Sequence, residues 1–421
     1  MSKQVLRVFA LSVASCALLL VSAAGASAAV GYVSGSSPVV AGGKSCNEPA
    51  YATVQGAIDA GAAKVEICPG TYTEQISIAN AVKLVAADGT GTATLALPAS
   101  AQNSASECDT KESLEQIDEI SICTSATVSI TGVNVRALIP LATCAKGLYG
   151  IFVGDDGTLK GSDFTVDGAS TTLNEDKGCQ HGVSIDVGSK TPAEVGHAQL
   201  KKVTSIGYEK NGPTVKGSGS TLAMSASTVT GEGPTPYVAQ NGVEVAFGAS
   251  ASIKSSTISA NECDYPGVCG PTGEQAAGVL FYQAAAGSKL TSSQIDENDT
   301  GIYYASGSKV EPASPDVSAI KDVLTSNRYE GVQLEEGKAA LKALTINGSG
   351  RVGIELLQSA NQESAIESSS IGSRISGQSE ASIKVSSDKA AGDIAGRFTF
   401  AGGTAAAPVL LDESNDVEVV F

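Results

Sequence analysis

Tryptophan is absent, aromatic residues make up 5% of the chain, and 421 residues hold two histidines. A compact enzyme core built on large aromatic side chains is thereby disfavoured. Basic residues are also scarce: 27 Lys and Arg face 44 Asp and Glu, giving a net charge of −17. Nucleic acid and anionic lipid are excluded as general partners, because both need a basic surface. No C-x-x-C pair occurs and both histidines lie far from any cysteine cluster, so a zinc site has no ligand set. Beyond residue 28 no segment approaches the ~20 apolar residues needed to span a bilayer. Charged residues at 17% against 42% hydrophobic ones also rule out an acidic disordered chain.

What is present begins with an address. Lys3 and Arg7 precede an apolar stretch, Val8 to Val21, and then Ala26-Ser27-Ala28, the layout of a secretory signal peptide over 1–28. An uncleaved anchor and a lipidated Cys16 are the alternatives; the apolar run past Cys16 argues against lipidation. Removing 1–28 brings the charge to −19, since Lys3 and Arg7 are its only charged residues. The expected mature protein is secreted, extracellular and free of membrane. It retains eight cysteines: Cys46, Cys68, Cys108, Cys123, Cys144, Cys179, Cys263 and Cys269. An even number in an exported chain reads as disulfides. Nearest-neighbour pairing (46–68, 108–123, 144–179, 263–269) is the working choice among the roughly 105 connectivities open to eight cysteines.

The strongest signal is a repeat. A six-residue unit with apolar ends and small polar residues between recurs at Val128–Val133, Leu159–Phe164, Met224–Val229, Ile253–Ile258, Leu290–Ile295, Leu341–Ile346 and Ile366–Ile371. Weaker copies stand at Ala198–Val203 and Ala319–Leu324. Their spacing of about 30 residues lies in the solenoid range. Between copies, a glycine leads alternating apolar residues, as in Gly182-Val-Ser-Ile185 and Gly301-Ile-Tyr-Tyr304. Alternation of period two marks half-buried strands, and no stretch holds an apolar 3.6 period. The fold class is therefore all-β: a right-handed parallel β-helix of about 11 coils. Serines inside the unit (Ser162, Ser227, Ser256, Ser293, Ser369) are expected to form a structural hydrogen-bond ladder. The domain plan is a linker over 29–45 and a β-helix over 46–421. Within it lie first coils at 46–97, a Cys-containing insertion at 98–126, regular coils at 127–375 and a C-terminal cap at 376–421.

An open sheet end needs a cover, and Thr53–Ala60 reads as a short amphipathic capping helix. Thr53-Val-Gln-Gly-Ala-Ile58, then Val65-Glu-Ile-Cys-Pro-Gly-Thr-Tyr-Thr-Glu74, then Ile76-Ser-Ile78, resembles the opening of pectin-lyase-like β-helix proteins. That superfamily includes pectate lyases, pectin methylesterases and polygalacturonases, and the resemblance implies carbohydrate chemistry on one outer face. The methylesterase likeness stops at Gly70–Glu74, because Gln240–Gly248 lacks their catalytic Asp. Gln180-His181-Gly182-Val183-Ser184-Ile185 is similar to a polygalacturonase site run. That likeness implies Asp155 and Asp156 as acid and base, His181 beside them and Lys216 gripping a sugar carboxylate. The family's Arg, however, is Thr214 here, and its Asn-Thr-Asp has no counterpart near Asn134. No catalytic motif is intact.

The face can also be read without any family. Outward positions on the Gly-led strands are Phe152, Ser184, Asp186, Thr214, Glu244, Leu280, Tyr282, Tyr303, Gln333, Glu335 and Glu355. Return loops add Tyr149, Tyr208, Tyr237, Tyr265, Tyr329, Arg328 and Arg351. Tyrosine faces suit stacking on sugar rings, so Tyr282, Tyr303, Phe152, Tyr237, Arg328 and Arg351 are the candidate substrate-binding residues. Asp186 and Glu244, two coils apart, are a candidate acid/base pair at about 9.6 Å, near the upper limit for inverting glycosidases. No metal site or resident cofactor is expected, although abundant carboxylates make calcium a candidate ligand. Two function classes follow: a monomeric surface solenoid binding a polysaccharide or surface glycan, favoured, and an extracellular polysaccharide hydrolase or lyase.

Overall fold

A computed structural model describes residues 30–87, 92–101, 115–140, 146–172, 178–180, 182–190, 194–305, 317–335, 337–358, 364–368, 373–387, 393–395, 398–400, 407–412 and 419–420. His181, Cys108, Cys144, Ser369 and the signal segment lie outside these residues.

Three parallel sheets of 14, 12 and 12 strands run the length of the chain. We name them A, B and C in the order the chain visits them. Successive strands of one coil are, for example, Ser250–Lys254 in A, Thr257–Cys263 in B and Ala277–Tyr282 in C; the next coil starts again in A at Ser288–Thr291. Every strand except those at the sheet ends pairs in parallel with its counterparts one coil before and after, so the fold is a parallel β-helix. Alternation does the rest: one side chain of each pair enters a continuous core of Val, Ile, Leu and Ala.

The strand register refines the repeat. Ile130, Gly161, Leu200, Met224, Ile253, Leu290, Ala319 and Leu341 stand level in sheet A. The units read as starting at Val128, Leu159 and Ala198 therefore begin two residues early. The error is silent in the sequence because a two-residue shift keeps every side chain on its own face.

In the regular coils between 127 and 347 the A-to-B bend is made by one residue in the left-handed conformation, such as Ala226, Ser255, Ser292 or Lys321. The next residue turns inward. At those positions the expected ladder exists: the amides of Val203, Ser227 and Ser256 donate to the hydroxyls of Ser227, Ser256 and Ser293 at 3.1–3.3 Å. Asp322 is the last rung, accepting the Ser293 amide at 2.8 Å. Ser162 is not a rung; with the unit re-registered, Phe164 occupies that place, and Ser162 meets Thr131 on the outer face at 3.2 Å.

A second ladder lines the B-to-C bend. Asn261 donates to Asn298 at 2.8 Å and Asn298 to Asn327 at 3.1 Å, all fully buried. Tyr208 caps this stack by donating to Asn261 at 2.6 Å. It is thus a core residue, not one of the outer-face tyrosines.

The N-terminal helix spans Val54–Asp59, one residue inside each expected end, with Val54 and Ala57 buried. The Glu74 carboxylate accepts the Val54 and Gln55 amides at 2.8 and 3.0 Å, and Thr53 caps Gly56. Tyr72 reaches the Cys68 and Val33 carbonyls. The Gly70–Glu74 motif is thus a device that fastens the helix to the first coil. Cys46–Cys68 and Cys263–Cys269 are disulfide-bonded. Cys123 and Cys179 are also in disulfide form. No helix among the described residues is long and apolar enough to cross a membrane.

Candidate functional site

The outward row of sheet C has the register inferred from the glycines. Phe152, Asp186, Thr214, Glu244, Leu280, Tyr303, Gln333 and Glu355 stand in one line, one per coil. Its exposure is uneven. Phe152, Asp186 and Thr214 are buried at one end and Gln333 and Glu355 at the other. Glu244, Leu280 and Tyr303 are partly open, and Tyr282 beside them is 37% exposed. The accessible stretch is the middle of the row.

Asp186 is paired with Lys216 at 3.0 Å and is fully buried. Glu244 accepts a hydrogen bond from Asn211, whose carbonyl oxygen in turn accepts one from Asn241 at 3.0 Å. Burial raises the Glu244 carboxyl, against the pull of Lys216 and Lys210. Lys210 donates to the Ala239 carbonyl at 2.6 Å, and burial lowers its ammonium despite Glu244 and Glu274. Tyr303 donates to Glu335, and burial together with the carboxylates of Glu335, Glu274 and Glu330 pushes its phenol far upward.

The aromatic residues gather beside this stretch. A cleft of about 460 Å³ is lined by Gln180, Lys210, Tyr237, Tyr265, Val268 and Glu274, among others. Tyr237 and Tyr265 are 39% and 45% exposed, and Val268 is 40% exposed. The Cys263–Cys269 bridge closes the loop that carries Tyr265 and Val268. Glu274 acts electrostatically on both Lys210 and Tyr303, so the cleft and the open part of sheet C are neighbours. Tyr282 packs edge-on against Phe247 at 5.4 Å, which orients its ring.

The other sequence candidates are placed elsewhere. Asp155 and Asp156 form the C-to-A turn after 146–154, both with positive φ. Asp156 lies 3.3 Å from His197, whose other ring nitrogen meets Thr221 at 2.8 Å. Lys216 is engaged by Asp186 instead. Phe152 is fully buried with Tyr149 edge-on at 6.4 Å, so it presents no ring to solvent. Arg328 bridges Asp264 at 3.2 Å and Asp299 at 3.5 Å. Arg351 joins Glu330, Glu355 and Glu380, and Lys384 joins Glu355 and Glu380. Both arginines tie coils together.

Sequence reasoning did not single out Lys210, Glu274 or the asparagine ladder. The ladder does have a signal: Asn follows the second apolar residue of the unit by three in Ile258…Asn261, Ile295…Asn298 and Leu324…Asn327. Among the described residues no group of three or more His, Cys, Asp or Glu is arranged to hold a metal ion.

No family model and no curated protein matches the chain. Among solved structures it is similar to a periplasmic alginate epimerase, with 8% identity, TM-score 0.40, and 85% of this chain and 77% of that one covered. The A-module of a mannuronan C-5 epimerase from Azotobacter vinelandii aligns at 12% identity and TM-score 0.42, covering 87% and 92%. Tailspike protein 3 of bacteriophage CBA120 aligns at 8% and 0.33, covering 87% and 59%. Scores and identities this low carry no activity over to this chain. The order of its three parallel sheets makes the chain a parallel β-helix, the fold expected from its resemblance to pectin-lyase-like proteins.

Proposed function

We propose that the protein is an exported, glycan-binding β-helix that holds a neutral polysaccharide in the cleft beside the open part of sheet C. The observation that carries this reading is the pair of exposed rings, Tyr237 and Tyr265, in the lining of one cleft together with the polar side chains of Gln180, Lys210 and Glu274. Flat apolar faces next to hydrogen-bonding groups are what sugar rings require. Lys210 and Glu274 offset each other in the lining, so the cleft offers a uronate no net positive charge and suits uncharged sugars. Disulfides support an oxidising compartment.

Binding is favoured over catalysis because Asp186 is committed to Lys216 and buried, so the Asp186/Glu244 pair lacks one open carboxyl. One observation favours a hydrolase or lyase as a second reading: the raised carboxyl of Glu244 could hold a proton for transfer.

Affinity electrophoresis and calorimetry against a panel of neutral polysaccharides test both readings. Tyr237→Ala or Tyr265→Ala should weaken binding severalfold, about 1 kcal/mol per stacked ring, with no soluble product released. Unchanged affinity in both variants refutes the cleft. Product release by the wild type that is lost in Glu244→Gln installs the enzyme reading instead.

A further inference from the structure

We propose that the outer face of sheet A is a second ligand site, a basic groove for a carboxylate-bearing polysaccharide lying along the rod axis. It is independent of the sheet C cleft in residues and in charge. A shallow groove of about 500 Å³ runs across the strands 127–131, 157–162, 196–201, 221–225 and 250–254. Lys160, Lys201 and Lys254 line it, with Ser162, Gln199 and Ser225 between them.

The register fixes the arrangement. Ser162, Lys201, Ser225 and Lys254 form one outward row. Lys160, Gln199, Ala223, Ser252 and Lys289 form the next, two residues away along the strands. With a strand spacing of ~4.8 Å, Lys201 and Lys254 are about 9.6 Å apart and Lys160 and Lys289 about 19 Å apart. Amines alternate with hydroxyls and an amide along the axis.

These four lysines are exposed, and none makes an ion pair with an acid among the described residues. At the bend after 157–162, Asp163 is already engaged by Lys202 at 3.7 Å. In a chain of net charge −17, a groove lined by lysines and no acid is a local reversal of field that composition does not produce. It attracts an anion that the rest of the surface repels.

The lining selects among polyanions. It contains no aromatic side chain, so nucleic-acid bases have nothing to stack on. It contains no arginine, the residue that grips phosphate through two parallel bonds. Lysine supplies single-point charges suited to spaced carboxylates, and serine, threonine and glutamine supply donors and acceptors for sugar hydroxyls.

The test is binding of the full chain to hyaluronate, to carboxyl-reduced hyaluronate and to polyphosphate, at low and high salt. Hyaluronate should bind at low salt and be released at high salt, as screened surface charges require. Any binding of the carboxyl-reduced polymer, a neutral glycan that the sheet C cleft can take, should be weaker and insensitive to salt and to the lysine substitutions. The triple substitution Lys160→Gln, Lys201→Gln, Lys254→Gln changes exposed side chains only and should weaken hyaluronate about tenfold, a few-fold per contact. Replacing the same three by arginine should keep binding, and Tyr237→Ala should leave it unchanged. Equal binding of the charged and reduced polymers, no binding of either, or an unaffected glutamine triple overturns the proposal. Polyphosphate bound as tightly as hyaluronate overturns the choice of carboxylate.

Discussion

Asp322 is the most exposed flaw in the interior and the best place to test the ladder. It occupies the rung position held by serine in the three preceding coils, and it is fully buried. One carboxyl oxygen accepts the Ser293 amide; the other has no partner among the described residues. In the next coil the equivalent position is Leu344, whose side chain carries no hydrogen-bond donor. Burial accordingly pushes the carboxyl up from 3.8 to about 7, against the smaller pull of the Ser293 and Ile320 backbone. At 1.36 kcal/mol per pH unit, that displacement is worth about 4 kcal/mol.

The sign follows from proton binding. Between pH 3.8 and about 7 the native state keeps the proton and the unfolded chain has lost it, so stability falls as pH rises. Above that window the whole penalty is present. Asp322→Asn keeps the shape and the acceptor, and its amide can donate to the carbonyl two residues back, as Asn298 does at 2.8 Å. The variant should match wild type near pH 4 and exceed it by about 4 kcal/mol near pH 9. With ~2.1 cal/mol/K of unfolding entropy per residue, the difference in Tm is about 5 °C. Scanning calorimetry across that range measures it. A Tm difference that is the same at both ends, or a variant less stable at both, refutes the reasoning.

Three further outcomes are expected. Lys216→Met removes the ion pair of the buried Asp186 carboxylate and should cost about 3–5 kcal/mol in urea unfolding, with most of it recovered on adding Asp186→Leu. Asn298→Ala removes the acceptor of both the amide and the side chain of Asn261; a loss of about 2–4 kcal/mol is expected, and one below 1 kcal/mol would show that the ladder is dispensable. Replacing Cys263 and Cys269 by alanine frees the loop bearing Tyr265 and should weaken glycan binding severalfold. Circular dichroism should be unchanged, whereas collapse of the β signal would mean that the bridge serves the fold and not the site.

Local pattern by itself determined the coil. Glycine-led alternation such as Gly242-Val-Glu-Val245 assigns inward and outward faces, and stacking of identical coils then sets the register of the sheet C row. Serines at a fixed place in the unit announced the ladder, and the Glu74 segment announced the capped end. Two-fold alternation also hid what it could not resolve: Val128 and Ile130 both point inward, and only pairing with Gly161 shows which begins the unit. Exposure was beyond the pattern altogether. Asp186 and Glu244 occupy equivalent places in their strands, yet one is buried against Lys216 and the other is partly open. Which outward residues meet solvent is set by contacts between coils, such as the Asp186–Lys216 pair, that join residues far apart in the chain. The same holds for Tyr208 and Tyr237, alike in sequence setting, of which the tertiary structure sends one into the asparagine stack and leaves the other on the wall of a cleft.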